Sequence, residues 1–213
     1  MKYYPACLDL RERACLVIGG GRVAERKTLS LLEAGADVTI ISPDLSPILR
    51  ELSSTGRIKH RSKKFEDKDL AGEFLVVAAT SSIEANIHAA QACKKRRILV
   101  NVAAPPEEST FIVPSVVERG ELVIAISTSG ASPALSKKIR RELEEQYGPE
   151  YELFLRMMLV VRKRLREEAG DEAARRLTLR TLAESDVLDL LREGKTREAE
   201  HRMEELAGID PIF

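Results

Sequence analysis

Gly19, Gly20 and Gly21 stand in a row between the apolar run Ala14–Ile18 and a segment of helical composition that ends at Gly35. A buried parallel strand, a turn without β-carbons and a helix together present a helix N-terminus, with its free backbone N–H groups, to a phosphate. Gly19, Gly21 and Ala24 satisfy the spacing G-x-G-x-x-(G/A). Gly19 would permit the turn, Gly21 would let the backbone approach a pyrophosphate, and Ala24 would let the helix pack closely on its strand. That is chemistry for a dinucleotide. The alternative is a tight strand-to-helix turn that holds no ligand.

A second stretch with chemical content is Ser127-Thr128-Ser129-Gly130-Ala131-Ser132-Pro133, followed by a helix whose first turns hold Lys137, Lys138, Arg140 and Arg141. Hydroxyls and free amides just ahead of a cationic helix suit the binding of carboxylates. An ordinary Ser-Pro helix start with a solvated basic face has the same composition. His60, His88 and His201 are scattered without metal-ligand spacing, so no metal site is expected. Cys7, Cys15 and Cys93 are odd in number and lack a C-x-x-C pair, as expected for reduced thiols of a cytoplasmic protein.

The elements that position these residues alternate. Asp37–Ile41 is a β-branched strand with Ser42-Pro43-Asp44 at its carboxyl end. An acid usually stands about 20 residues past the glycines to hold the adenosine ribose. Asp44 comes slightly late for that role, and Ser42 is the nearer polar group. No arginine at this strand end would receive a 2′-phosphate, which favours NAD over NADP. Ser46-Pro47 opens a short helix, Arg57–Arg61 reads as an edge strand, and Phe74–Ala79 as a buried one closed by Thr80-Ser81-Ser82. Thr80 suits either the ligand crevice or the N-cap of a helix over Ile83–Lys94. In the strand Ile98–Val102, Asn101 is expected to point to the same crevice. Five strands with helices between them imply a Rossmann-type α/β fold, a doubly wound parallel sheet.

Regular structure breaks at Ala103–Glu108, where two prolines intervene. Thr110–Val113 and Leu122–Ser127 read as further strands with a turn at Arg119-Gly120 between them. The remainder is charged and helical, punctuated by Gly170, Ser185 and Gly194. The expected division is therefore 1–113 for the nucleotide domain, 114–148 for a small α+β region and 149–213 for a helical tail. Lys+Arg and Asp+Glu both number 34, so net charge points to neither nucleic acid nor membrane. Aromatic content of 4% without tryptophan argues against a base-stacking platform for single strands. No apolar run approaches a membrane span, and the polar MKYYPACLDL is unlike a signal peptide.

Several segments together resemble the dehydrogenase module of siroheme synthase, the precorrin-2 dehydrogenases, some of which are also sirohydrochlorin ferrochelatases. They are YYPACLDLRERACLVIGGGRVAERK, the strand end AAT at Ala78–Thr80, VNV at Val100–Val102, and STFIVPSVVERGELVIAISTSGASPALS. The likeness runs over about Met1–Tyr147, and GGG-x-V-A-x-x-K combined with a later S-G-x-S-P is specific. It implies NAD-dependent oxidation of precorrin-2 to sirohydrochlorin by a homodimer built through the second half. It also implies that Gly19, Gly20, Gly21, Arg22 and Val23, with Ser42, Pro43, Asp44 and Thr80, face NAD. The tetrapyrrole, edged with carboxylates, would meet Ser127, Thr128, Ser129, Ser132 and Lys137.

The sequence departs from that family at two places. An aspartate regarded as the acid/base usually follows the N-V of the fifth strand; here the position is Ala104, and Glu107 and Glu108 are the nearest carboxylates. Thr128-Ser129 replaces a frequent Ser-Gly. The loss at Ala104 supports a second reading, an NAD-binding sensor without turnover; a third, a chelatase or tetrapyrrole carrier without redox activity, would need metal or porphyrin ligands that the scattered His60, His88 and His201 do not supply.

Overall fold

β1 (Ala14–Ile18) is apolar at nearly every position because it lies in the middle of a parallel sheet covered on both faces. The computed structural model describes residues 3–167 and 171–209. The chain divides into two units at Val113 and Pro114.

In the first unit, α1 (Arg22–Glu33), β2 (Asp37–Ile41), α2 (Pro47–Ser54), β3 (Lys59–Arg61), β4 (Leu75–Ala78), α3 (Ile83–Lys95) and β5 (Leu99–Val102) follow β1. The strands are parallel and ordered β3-β2-β1-β4-β5, as the expected Rossmann-type fold requires. Alternation of side chains sorts the core into two layers. Cys15, Val17, Val38, Ile40 and Val77 pack with Ala24 and Leu31 of α1 and Leu49 of α2. Leu16, Ile18, Val76, Ala78 and Val100 pack with Ala89, Ala90 and Cys93 of α3. Each fully buried Val, Leu or Ile contributes about 1.5–3 kcal/mol. The strand order reverses at β1, so the crevice at the carboxyl ends of β1 and β4 is the topological switch point.

Between β3 and β4 the chain contains no α-helix, only a 3-10 turn at Asp67–Asp69, and it lays Phe65 and Leu70 on the α3 side of the sheet. After β5 the expected strand at Thr110–Val113 does not form. The Ser109 and Thr110 hydroxyls instead accept from the N–H groups of Val102 and Val100, each at 2.8 Å, and side chains thereby replace a ladder. Pro114 then interrupts the chain, and the strand begins at Ser115.

The second unit opens with the antiparallel hairpin β6 (Ser115–Arg119) and β7 (Leu122–Ile126). Gly120, at φ +57°, makes its two-residue turn. α4 (Pro133–Gln146), α5 (Glu150–Glu167), α6 (Glu172–Ala183), α7 (Val187–Arg192) and α8 (Thr196–Ala207) follow. Phe154, Met157, Val161, Leu182, Val187 and Met203 are the heart of a helical core. Ser185 and Gly194 fall between helices, whereas Gly170 lies outside the described residues.

Candidate nucleotide site

The three glycines do different work. Gly19, at φ +118°, donates its N–H to the Ile41 carbonyl across 2.9 Å, and a β-carbon there would overlap the Ala79 carbonyl oxygen. Gly20 accepts from the Ser46 N–H at 2.8 Å, and its β-carbon would overlap the Asp44 carbonyl oxygen. The loop is thus stitched to the ends of β2 and β4 by contacts only glycine allows. Gly21 is unlike them. It caps α1 at φ −86° and ψ −173°, a conformation open to any residue, and no atom lies within 4 Å of where its β-carbon would be. Neither the backbone nor the packing of this chain needs a glycine at 21.

α1 also begins without a side-chain cap, while Ser46, Ser82 and Ser132 cap α2, α3 and α4. Its first N–H groups therefore face a cavity of about 760 Å³. Gly19, Gly20, Gly21 and Arg22 line it from the loop, and Ser42, Pro43 and Asp44 from the end of β2. Thr80 lines it from the end of β4. Ser42 is 8% exposed, and its Oγ has no hydrogen-bond partner among the described residues. A hydroxyl buried beside an uncapped helix end, with open space over Gly21, fits a dinucleotide whose diphosphate approaches the backbone and whose ribose meets a donor.

Sequence reasoning missed Lys63, Lys64, Phe65 and His88, which also line this cavity. The first three sit in the irregular crossing between β3 and β4, where no periodicity or motif announces them. His88, which sequence spacing sets aside as a metal ligand, bonds Asp67 Oδ1 through Nε2 at 2.8 Å. Lys63 reaches Asp69 Oδ2 at 3.0 Å and Glu66 at 3.2 Å, bonds that raise its ammonium above the ordinary value. Burial pushes the Asp69 carboxyl up, but the Glu66 N–H, Lys63 and Arg61 outweigh it and hold it below the usual carboxylate range.

Other expected residues lie elsewhere or are engaged. Val23 and Asn101 do not line the cavity; Asn101 is buried and donates to the Phe111 carbonyl at 3.2 Å. Thr80 is not the cap of α3, because Ser82 accepts from the Ala85 N–H, and the Thr80 hydroxyl meets Asn86 Oδ1 at 2.8 Å. Ala104 is exposed. Glu108 pairs with Lys94, in the last turn of α3, at 2.6 Å, and neither Glu107 nor Glu108 lines the cavity.

In the second unit, the loop before α4 folds largely upon itself. Thr128 Oγ1 accepts from the Ser132 N–H at 3.1 Å, Ser127 Oγ accepts from the Ser129 N–H at 3.0 Å, and Ser132 caps the helix. Ser129 adopts φ +53°, and its side chain has no partner among the described residues. Lys138 and Arg140 pair with Glu142 and Glu144 one turn on, which leaves Lys137 and Arg141 outside any ion pair among the described residues. Among the described residues, no group of three or more His, Cys, Asp or Glu could hold a metal ion. No helix among them is long and apolar enough to cross a membrane.

Comparison with known proteins agrees with this geometry. Residues 6–115 match the family described as putative NAD(P)-binding, and residues 119–146 match the sirohaem biosynthesis protein central family. The siroheme synthase of Methylobacillus flagellatus is 34% identical over 97% of this chain and 44% of its own length. That of Thioalkalivibrio sulfidiphilus is 36% identical over 99% of this chain and 43% of its own. The chain thus spans less than half the length of these relatives. The solved structure of SirC, a precorrin-2 dehydrogenase, superimposes with a TM-score of 0.81 at 29% identity, covering 95% of this chain and all of that one. With the glycine loop, the uncapped α1 and the matched span in agreement, the chain belongs to the family of putative NAD(P)-binding proteins and carries a sirohaem-biosynthesis central segment directly after that domain.

Proposed function

We propose that this chain oxidises precorrin-2 to sirohydrochlorin with NAD. The observation that carries the nucleotide half is Gly21, a glycine that the protein's own packing does not require, at the start of an uncapped helix. The substrate half is supported by the likeness over nearly the full chain to SirC and to the siroheme synthases.

NAD, when bound, supplies a ring that accepts hydride. The chain's part is to hold and orient. Amides of the glycine loop and the first turn of α1 take the diphosphate, and Ser42 with Asp44 takes the adenosine ribose. Ser129, Lys137 and Arg141 are the groups before and within α4 that remain available for substrate carboxylates. Hydride removal also releases a proton. With Glu108 held by Lys94, Glu107 or water is left to receive it.

The chain acts as a cytoplasmic homodimer in this proposal. The free state of Cys7, Cys15 and Cys93 accords with a reducing compartment. The β6–β7 hairpin supports the dimer, since a two-stranded sheet is marginal alone and this one exposes Val116 and Val123 on one face.

Anaerobic mixing of the protein with precorrin-2 and NAD is the test. Stoichiometric formation of NADH and sirohydrochlorin is expected. NAD binding without turnover would replace the proposal with a sensor, and metal insertion into sirohydrochlorin alone would replace it with a chelatase.

A further inference from the structure

The cavity extends beyond the groups that account for a diphosphate and a ribose. Part of its remaining wall is built by α3, through Ala85 and His88, and part by the crossing between β3 and β4, through Lys63, Lys64 and Phe65. Asp69 Oδ2 accepts from the Glu66 N–H at 2.9 Å and from Lys63 at 3.0 Å. The Arg96 guanidinium donates to the Asp67 and Leu70 carbonyls. Asp67 in turn bonds His88 Nε2 at 2.8 Å. Phe65, packed on the α3 layer of the core, meets the His88 ring edge-on with centroids 5.9 Å apart. Both rings line the cavity that Ser42 and Asp44 also line.

Two joined aromatic rings beside a ribose site are surroundings for a flat, polarisable base. The direction of the dinucleotide follows from the sheet. Its diphosphate lies at Gly21 over β1, and the ribose at Ser42 and Asp44 over β2. No residue of β5 lines the cavity. The group that follows this ribose outward is the adenine. We propose that Phe65 and His88 form the wall against which adenine rests. This rests on NAD being the ligand of the cavity.

Calorimetric titrations of NAD, ADP-ribose and nicotinamide mononucleotide into the unaltered protein and into Phe65→Leu, His88→Gln and His88→Phe test the proposal. Phe65→Leu and His88→Gln are expected to weaken NAD and ADP-ribose by about five- to tenfold while mononucleotide affinity is unchanged. His88→Phe, which keeps a ring but loses the bond to Asp67, is expected to recover most of the affinity. Because His88 is exposed, its variants fold even if Phe65→Leu loosens the core, and a melting curve for each verifies this. Equal ADP-ribose affinity in unaltered protein and folded His88→Gln overturns the adenine wall and leaves the NAD site standing. If the unaltered protein binds neither NAD nor ADP-ribose, the NAD site itself is overturned and the wall with it.

Discussion

Asn86 Nδ2 donates to the Ala104 carbonyl oxygen across 2.9 Å and so ties the first turn of α3 to the loop that follows β5. The same amide bonds the Thr80 carbonyl at 3.3 Å, while its Oδ1 accepts from the Thr80 N–H at 3.0 Å and hydroxyl at 2.8 Å. All four capacities of the side chain are filled, and the residue is 1% exposed. One buried amide therefore sets the relation between two loops at the carboxyl edge of the sheet. Asn86→Leu keeps the branch at Cγ but adds bulk at a buried site and leaves the Thr80 N–H and the Thr80 and Ala104 carbonyls without this partner. A loss of about 2–4 kcal/mol in the unfolding free energy measured with urea is expected, together with weaker NAD binding as the Thr80 loop drifts.

The Gly20 carbon faces the Asp44 backbone, which cannot move aside as a flexible side-chain tip could. Gly20→Ala should cost about 2 kcal/mol or more, because the glycine loop must part from the β2 end and the bond from Ser46 N–H to Gly20 O must lengthen. Thermal melting measures this directly. An unchanged midpoint would mean that the two loops are not closely packed.

Ser42 offers the converse case. Its Oγ has no partner among the described residues, so Ser42→Ala should leave stability within about 0.5 kcal/mol of the parent. NAD affinity is expected to fall by about three- to tenfold, the loss of one hydrogen bond to a ribose hydroxyl. Melting and calorimetry on the same sample separate the two effects.

Acid should act on the crossing between β3 and β4 through Asp69. Its folded value lies below the ordinary one, so its contribution is complete above the unfolded value of about 3.9 and is lost as pH falls through the lower folded value. Urea midpoints measured from neutral pH to about pH 2 should therefore drop steeply below about pH 4. Asp69→Asn should begin lower at neutral pH and show a shallower decline in that window. The contact with Lys63 follows the same sign, since the raised Lys63 ammonium is charged throughout this range.

How much of this was legible in the sequence depends on whether a local pattern carried it. The apolar runs at Ala14–Ile18 and Asp37–Ile41 and the triple glycine declare the sheet and its crevice, because burial on both faces and the need for bare backbone dictate residue type position by position. Thr110–Val113 has strand composition, yet the Ser109 and Thr110 hydroxyls take the β5 amides in place of a ladder. Asn101 faces Phe111 and Glu108 faces Lys94, contacts between residues ten and fourteen positions apart that no spacing rule reveals. Phe65 and His88 meet only because an irregular segment crosses α3, so neither announces itself as a cavity residue.

Calorimetric titration of NAD into the unaltered protein and into Gly21→Val tests the nucleotide site most directly. Since nothing lies within 4 Å of the missing β-carbon and the backbone there suits any residue, Gly21→Val should fold as the parent does and lose only about 1 kcal/mol, the cost of valine at a helix N-cap. The expected result is saturable NAD binding by the parent and at least a tenfold loss, of about 1.4 kcal/mol, in the folded variant. Equal affinity in the two proteins, or no binding by the parent, would contradict a diphosphate held at the amino end of α1.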